Sequence, residues 1–384
     1  MGLATYLALK EIWRNRGRFL SVALVIALIT LLVLFIAALG EGLGTNNRQY
    51  VAGLDAQLIA FLDKSDYIIS ASRLDQSTLK AIRRVDGVEE AGPISTSSTA
   101  ILLGNGKVLK VSMLGVEAGK PGLPPVLEGR TFQTQLAREV IIDQNVALRS
   151  DIRVGDEITI RSTQGTEDEF FRLQVVGLTK GQAYLFAPTI FVPPSTWERV
   201  RPKSGAEANK TIPDINIIAV KLADPSQVGA MEAILSSRVA NIQVADIPTT
   251  INNIPGYSAQ QGTVQTQAVF TLLIGVLVIG GFFQIQILQK VPQIGVLKAI
   301  GSSNGMVGAS AVIQIMVVTF IGVGLGGLFT YVFSLFFPPT IPLVFNGTAS
   351  AVAIAALLLI GPLGGMASVV YAVRIEPLKA LRLS

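Results

Sequence analysis

Four uncharged apolar runs, at 19–40, 268–288, 307–333 and 348–373, constrain this sequence more than any other feature. A helix crosses a hydrocarbon core in about 20 residues, and each run reaches that length. Lipid offers no water to backbone N–H and C=O groups, so a spanning run must pair them internally as a helix. Charge content agrees: 15% of the chain is charged, against about 25% in a soluble domain.

The first run invites a second reading. Arg14, Arg16 and Arg18 precede it, and Ala38-Leu39-Gly40 is shaped like a signal cleavage site. Its apolar length exceeds the core of about 7–15 residues in a cleaved signal, which favours a retained span. The net charge of +5 is unevenly spread. Segment 41–265 holds 22 basic and 24 acidic residues, whereas the remainder holds 9 basic and 2 acidic ones. A basic excess confined to span flanks argues topology and no nucleic-acid partner. Lys10, Arg14, Arg16 and Arg18 lie before the first span, Lys290 and Lys298 between the second and third, and Arg374, Lys379 and Arg382 after the fourth. Segment 334–347 has no basic residue. The positive-inside rule then expects a multi-pass membrane protein with both termini cytoplasmic and 41–265 outside.

The chain contains no Cys and no His. Disulfides, thiol catalysis and the commonest metal ligand are thereby excluded, and no metal site is expected. No Asp, Glu, Lys or Arg falls within a span, which argues against an ion-coupled pathway. Small residues crowd the last three spans: Gly275, Gly280 and Gly281, then Gly322 and Gly326 in a G-x-x-x-G pair, then Gly361, Gly364 and Gly365. Such faces serve either packing within one chain or contact with a second copy. Gly361-Pro362 is expected to kink the fourth span.

Beyond the first span, Leu43, Tyr50, Leu54, Leu58 and Phe61 keep helical spacing and predict a stalk. A strand is expected at 67–70, then a helix at 76–84 opened by Asp75. Strands follow at 94–103 and 108–115, joined by the hairpin signal Asn105-Gly106. The same order recurs as a strand at 216–221, a helix at 225–237 and a strand at 241–245. Two such halves suit a ferredoxin-like layer. Between them, strands at 140–143, 157–161, 170–178 and 189–192 read as an inserted β-rich subdomain, and 201–213 reads as a loop. The expected fold class is a membrane α-helical protein with four transmembrane helices plus an α+β extracytoplasmic domain.

The inner loop reads Val291-Pro292-Gln293-Ile294-Gly295-Val296-Leu297-Lys298-Ala299-Ile300-Gly301-Ser302. The C-terminal stretch reads Ala372-Val373-Arg374-Ile375-Glu376-Pro377-Leu378-Lys379-Ala380-Leu381-Arg382. With one span, a large outer domain and three further spans, these resemble the MacB/FtsX-like permeases of ATP-binding cassette systems. Leu9-Lys10-Glu11-Ile12 and Gly40-Glu41-Gly42-Leu43 resemble the branch that includes the haem exporter subunit HrtB and the DevC permeases. Gln293 departs from the Glu of many relatives.

The resemblance implies that the inner loop docks on a separate cytoplasmic ATPase through Gln293, Ile294, Gly295, Leu297, Lys298, Ala299 and Gly301. Ile294, Leu297 and Ile300 are expected on one side of a short helix, with Lys298 available to solvent or a partner. The chain itself lacks the phosphate-cradling G-x-x-x-x-G-K-[ST] loop. Around Gly119-Lys120-Pro121, position 114 is Leu and Pro follows the Lys. No catalytic residue is expected, and the chain reads as the non-catalytic subunit of an ATP-driven efflux system, with ATP and Mg used by its partner. No cofactor is expected on this chain, with haem considered only as cargo. A second permease copy and membrane lipid complete the expected partners. A homodimer would enclose an apolar slot near Phe35, Leu39, Glu41 and Phe270, suited to a lipid, peptide, drug or haem. The alternative is an FtsX-like signalling module that activates an outer partner without transport.

Overall fold

The computed structural model describes residues 2–104, 106–203, 214–337, 341 and 343–376. It divides into two compact units, 1–42 with 261–384, and 43–260.

The first unit is helical. A twelve-residue helix α1 (Leu3–Arg14) precedes α2 (Arg16–Ala52). The long helix α8 (Tyr257–Gln289), the short α9 (Val291–Ala299), α10 (Asn304–Ser334) and α11 (Gly347–Arg374) complete it, the intervening helices belonging to the second unit. Among the described residues, α2, α8, α10 and α11 are long and apolar enough to cross a membrane. They coincide with the four expected spans. The α11 helix continues through Pro362.

Glycine decides how these helices meet. A methyl group on Gly322 would lie 2.6 Å from Ile26, and one on Gly326 would lie 2.6 Å from the Ala27 carbonyl. The G-x-x-x-G pair therefore seats α10 directly on α2 of the same chain. Gly280 of α8 meets the Gly364 carbonyl of α11 at 2.7 Å on the same test, and Gly361 and Gly365 abut Thr319 and Ile315 of α10. Of the two readings left open by the small residues, packing within the chain accounts for these positions. Gly281, Gly324 and Gly327 face open space.

The second unit is built on a mixed sheet. Its strands are β1 (Leu58–Leu62), β2 (Val88–Leu102), β3 (Val108–Val116), β4 (Val126–Gly129), β5 (Glu139–Asp143), β6 (Glu157–Gln164), β7 (Glu167–Thr179), β8 (Thr189–Val192), β9 (Ile217–Leu222) and β10 (Ile242–Asp246). The order is β10-β1-β9-β2-β3-β8-β5-β7-β4, with β6 paired to β2 and β7. The first four run antiparallel to their neighbours. With α3 (Gln76–Ile82) after β1 and α6 (Val228–Arg238) after β9, they form the expected ferredoxin-like layer. Asp75 caps α3 by accepting from the Thr78 amide. The insertion shares the sheet, because β2 pairs with β9 at 88–94 and with β6 at 100–102. Three short helices were not foreseen: α4 (Gln144–Ser150), α5 (Pro194–Val200) and α7 (Ile247–Asn252).

Two expectations fail at the start of this unit. Helix α2 stops at Ala52, and Leu58 and Phe61 lie in β1, not in a stalk. Residues 67–70 form turns, with Asp66 and Tyr67 at φ of 51° and 59°. The run Leu58-Ile59-Ala60-Phe61-Leu62 is apolar on both faces because core clusters cover it from both sides, and such a run has no period that separates strand from helix. Asn105 and most of the expected loop at 201–213 lie outside the described residues.

The last turns of α2 are fixed in the sheet unit. The Tyr50 amide donates to the Ala183 carbonyl at 3.1 Å, and the Phe186 amide to that of Asn46 at 3.1 Å. Gln49 Oε1 accepts from the Ala183 amide at 3.1 Å. Tyr50 is buried and its hydroxyl donates to the Gly122 carbonyl at 2.8 Å. Asp143 holds the loop from the other side, accepting from the amides of Val146 and Gln182 at 2.9 Å each. Burial pushes the Asp143 carboxyl above its ordinary pKa, while these hydrogen bonds oppose the shift.

Replacing Gly322 by Ile should destabilise the bundle by about 1–3 kcal/mol through overpacking, whereas Gly324→Ile should leave it unchanged. Thermal unfolding of the full chain in detergent distinguishes the two. Asp143→Ala should cost about 1–2 kcal/mol from the lost helix cap and open the 181–187 loop to protease, whereas Asp143→Asn should keep the cap and the protection.

Candidate functional site

The inner-loop motif folds as α9, and its ends follow from local chemistry. Pro292 lies in the first turn, where a missing N–H costs nothing. At the other end the Ser302 amide donates to Leu297 and the Gly301 amide to Lys298, both at 3.0 Å. Gly301 sits at φ +102°, the left-handed conformation that this closure requires. Ser303 then caps α10 by accepting from the Met306 amide. Gly301 thus acts as the helix stop and lets the chain enter the next span.

The faces of α9 divide differently from the expected pattern. Ile294 and Gly295 are buried, and Ile294 packs with Ile287 and Ala372. Leu297 and Ile300 are exposed, Ile300 at 81%. Gln293, Val296 and Ala299 are exposed as well. An uncovered, largely apolar strip therefore lies opposite the face that grips the bundle. The displacement of Ile300 has a simple cause: the helix has ended before it.

Lys298 is engaged within the chain. Its Nζ donates to the carbonyls of Val373 and Ile375 at 2.6 and 2.9 Å. These lie at the C-terminus of α11, where unpaired carbonyls and the helix dipole favour a cation. Lys298 is accordingly a cap supplied from another helix.

Lys290, just before α9, makes the second anchor. Its Nζ lies 2.6 Å from Glu11 Oε1 and 5.5 Å from the centre of the Phe19 ring. Gln314 of α10 donates to Glu11 Oε2 at 2.7 Å and lies 3.5 Å from Lys290 Nζ. Three elements thus meet at one carboxylate. The motif could not reveal Glu11 or Gln314 as members. A signal did exist for Glu11, one of only two acidic residues outside 41–265.

A cavity of about 430 Å³ opens beside this cluster, bounded by α1, α9 and α10. Leu7, Ile294, Leu297 and Ala311 contribute its apolar wall. Lys10, Arg14 and Lys290 bring cations to it.

The expected cargo residues do not converge in the same way. Phe35, half-buried, packs on Phe337 with ring centres 5.5 Å apart. Phe270 is 62% exposed on α8, and Leu39 and Glu41 are half-buried. At this level a methyl group on Gly40 would lie 2.6 Å from Val264, so α2 and α8 of one chain touch there. Among the described residues no cluster of metal-ligating side chains is found. Residues 377–384, which complete the C-terminal motif, lie outside the described residues.

Comparison with known proteins bears on the whole arrangement. Residues 19–238 match the MacB-like periplasmic core domain, and residues 267–377 match the FtsX-like permease C-terminal. A proposed hemin transport system permease protein, HrtB, from Staphylococcus haemolyticus is 24% identical over 98% of both chains. An uncharacterised ABC transporter permease from Mycobacterium bovis is 22% identical over 97% of both. Among solved structures, the periplasmic region of MacB from Actinobacillus actinomycetemcomitans aligns with a TM-score of 0.37 at 16% identity, covering 53% of this chain and 96% of that one.

Glu11→Lys should destabilise the helical unit by about 1–3 kcal/mol, the cost of leaving a buried partner unsatisfied, and Glu11→Lys combined with Lys290→Glu should recover much of it. Lys298→Met should cost about 1 kcal/mol by the lost capping bonds. Melting of the full chain measures both.

Proposed function

The chain belongs to the family of FtsX-like ABC permeases with a MacB-like periplasmic core domain, and from that premise we propose that it couples a separate ATPase to export of a hydrophobic or amphiphilic cargo. It is a membrane protein and a permease subunit of an ABC transport system, on the HrtB-like branch of the family. In this reading both termini and α9 face the cytoplasm, and the sheet unit lies outside. The chain contributes no catalytic group to ATP hydrolysis. A second copy of the permease completes the transporter.

The observation that carries the reading is the two-sided construction of α9. Val296 and Ile300 present an exposed strip to a partner, with Gln293 and Leu297 at its edge beside the cavity. On the opposite side, Lys290 and Lys298 tie the same helix to α1, α10 and α11. A displacement imposed on the strip would therefore move several helices together. The ends of α2 and α8 belong to the sheet unit, so each is a continuous helix along which that motion would reach the outside. Such a device requires two arrangements of the bundle with a few kcal/mol between them.

Hemin is the most specific cargo supported by a relative. Without His or Cys, this chain would offer haem iron a Tyr, a Met or a carboxylate. Glu41, at the outer end of the apolar part of α2, is the carboxylate closest to the proposed path. Phe35 and Phe270 are then cargo contacts only if the assembled transporter brings α2 and α8 of different copies together.

The chain's lack of Cys makes the orientation directly testable. A single cysteine introduced by Ile300→Cys should react with a membrane-impermeant maleimide only after cells are opened; reaction in intact cells would overturn the cytoplasmic placement. The strip should also retain an ATPase during purification. Leu297→Asp should weaken that complex by about 2 kcal/mol or more, as expected of a central apolar anchor. Cargo-stimulated ATP hydrolysis by the reconstituted complex supports export, and hydrolysis indifferent to every cargo, hemin included, supports signalling instead.

A further inference from the structure

The cavity between α1 and α9 combines cations, neutral polar groups and an apolar wall. Lys10, Arg14 and Lys290 line it together with one carboxylate, Glu11. Glu11 is committed to Lys290 at 2.6 Å, so the cations of Lys10 and Arg14 are left over. Arg14 has no ion-pair partner among the described residues, and Lys10 contacts only the Tyr6 side chain, both cations being exposed to the cavity mouth. Asn15, Gln293, Ser302 and Ser310 add neutral hydrogen-bonding groups. Behind them the wall is apolar, from Leu7 to Met306 and Val307.

The surroundings indicate which anion. On α1, Tyr6, Leu9 and Trp13 are 55%, 41% and 79% exposed. In a membrane protein, Tyr and Trp on a basic amphipathic helix belong at head-group depth, with apolar atoms toward the acyl chains. A helix placed in this way would bring the cavity mouth to the depth of lipid phosphates. We propose that the cavity receives the head group of an anionic phospholipid, with Lys10 and Arg14 on the phosphate and an acyl chain along the apolar wall. Bound there, the lipid joins α1 to α9 and stabilises the position of the helix that carries the exposed strip. The inference rests on membrane insertion and not on ATPase-driven export, so the two can fail separately.

The full chain, purified in neutral detergent, is titrated with phosphatidylglycerol, phosphatidylcholine or inorganic phosphate. Native mass spectrometry counts bound lipid, and Trp13 emission follows occupancy. Saturable retention of phosphatidylglycerol in preference to the other two is expected. Loss of either exposed cation, by Lys10→Gln or Arg14→Gln, should weaken it about fivefold, and Arg14→Lys should restore most of the binding. Melting temperatures of the variants, expected to match the parent without lipid, separate lost binding from lost folding. Equal binding of phosphatidylcholine would overturn the proposal, as would unchanged affinity in both variants. Inorganic phosphate binding as tightly as the lipid would reduce the cavity to a small-anion site. A soluble polyglutamate peptide preferred over phosphatidylglycerol would assign it to an acidic protein segment, and either result overturns the lipid assignment.

Discussion

Helices in hydrocarbon gain nothing by hiding apolar surface from one another, so their association depends on how closely their backbones can approach. Glycine sets that distance here. Gly322 and Gly326 let α10 lie against α2, and Gly280 and Gly364 let α8 lie against α11. Everything at the end of the bundle that carries α9 follows from this. With α10 and α11 held in place, Gln314 and the carbonyls of Val373 and Ile375 come within reach of the two lysines that flank or end α9. A bulky residue at either glycine pair would separate the partners that these polar contacts assume.

The polar contacts then supply direction that glycine packing lacks. Close apolar contact tolerates sliding, whereas a carboxylate shared by Lys290 and Gln314 has few alternative positions. A buried ion pair adds little net stability on average. Its value here is geometric: α9 cannot move far without carrying α1, α10 and α11. At the other end of α2, the Tyr50 amide donates to the Ala183 carbonyl and the Asn46 carbonyl accepts from the Phe186 amide, which serves a similar purpose within the sheet unit.

Much of the architecture was legible from residues. The spans emerged because about 20 apolar residues in succession have few alternatives to a membrane helix. Strand β8 was read at its observed bounds, and Asp75 was recognised as a helix cap. The order of strands and helices was enough to identify the ferredoxin-like layer. Reading failed where period carries no information. The run 58–62 is apolar throughout and was assigned to a stalk, although it forms the second strand in sheet order. The short helices α4 and α5 were missed because seven residues show too little period to count.

For the candidate site, the sequence alone determined where the motif lies and that it is a short helix between spans. These properties depend on neighbouring residues. Which side of α9 is free was decided only by tertiary structure, which left Leu297 exposed and engaged Lys298 within the chain. The pairing of Glu11 with Lys290 joins residues 279 positions apart, and that of Lys298 with Val373 joins residues 75 apart. No local pattern encodes such contacts, because the partners meet only after the helices have packed.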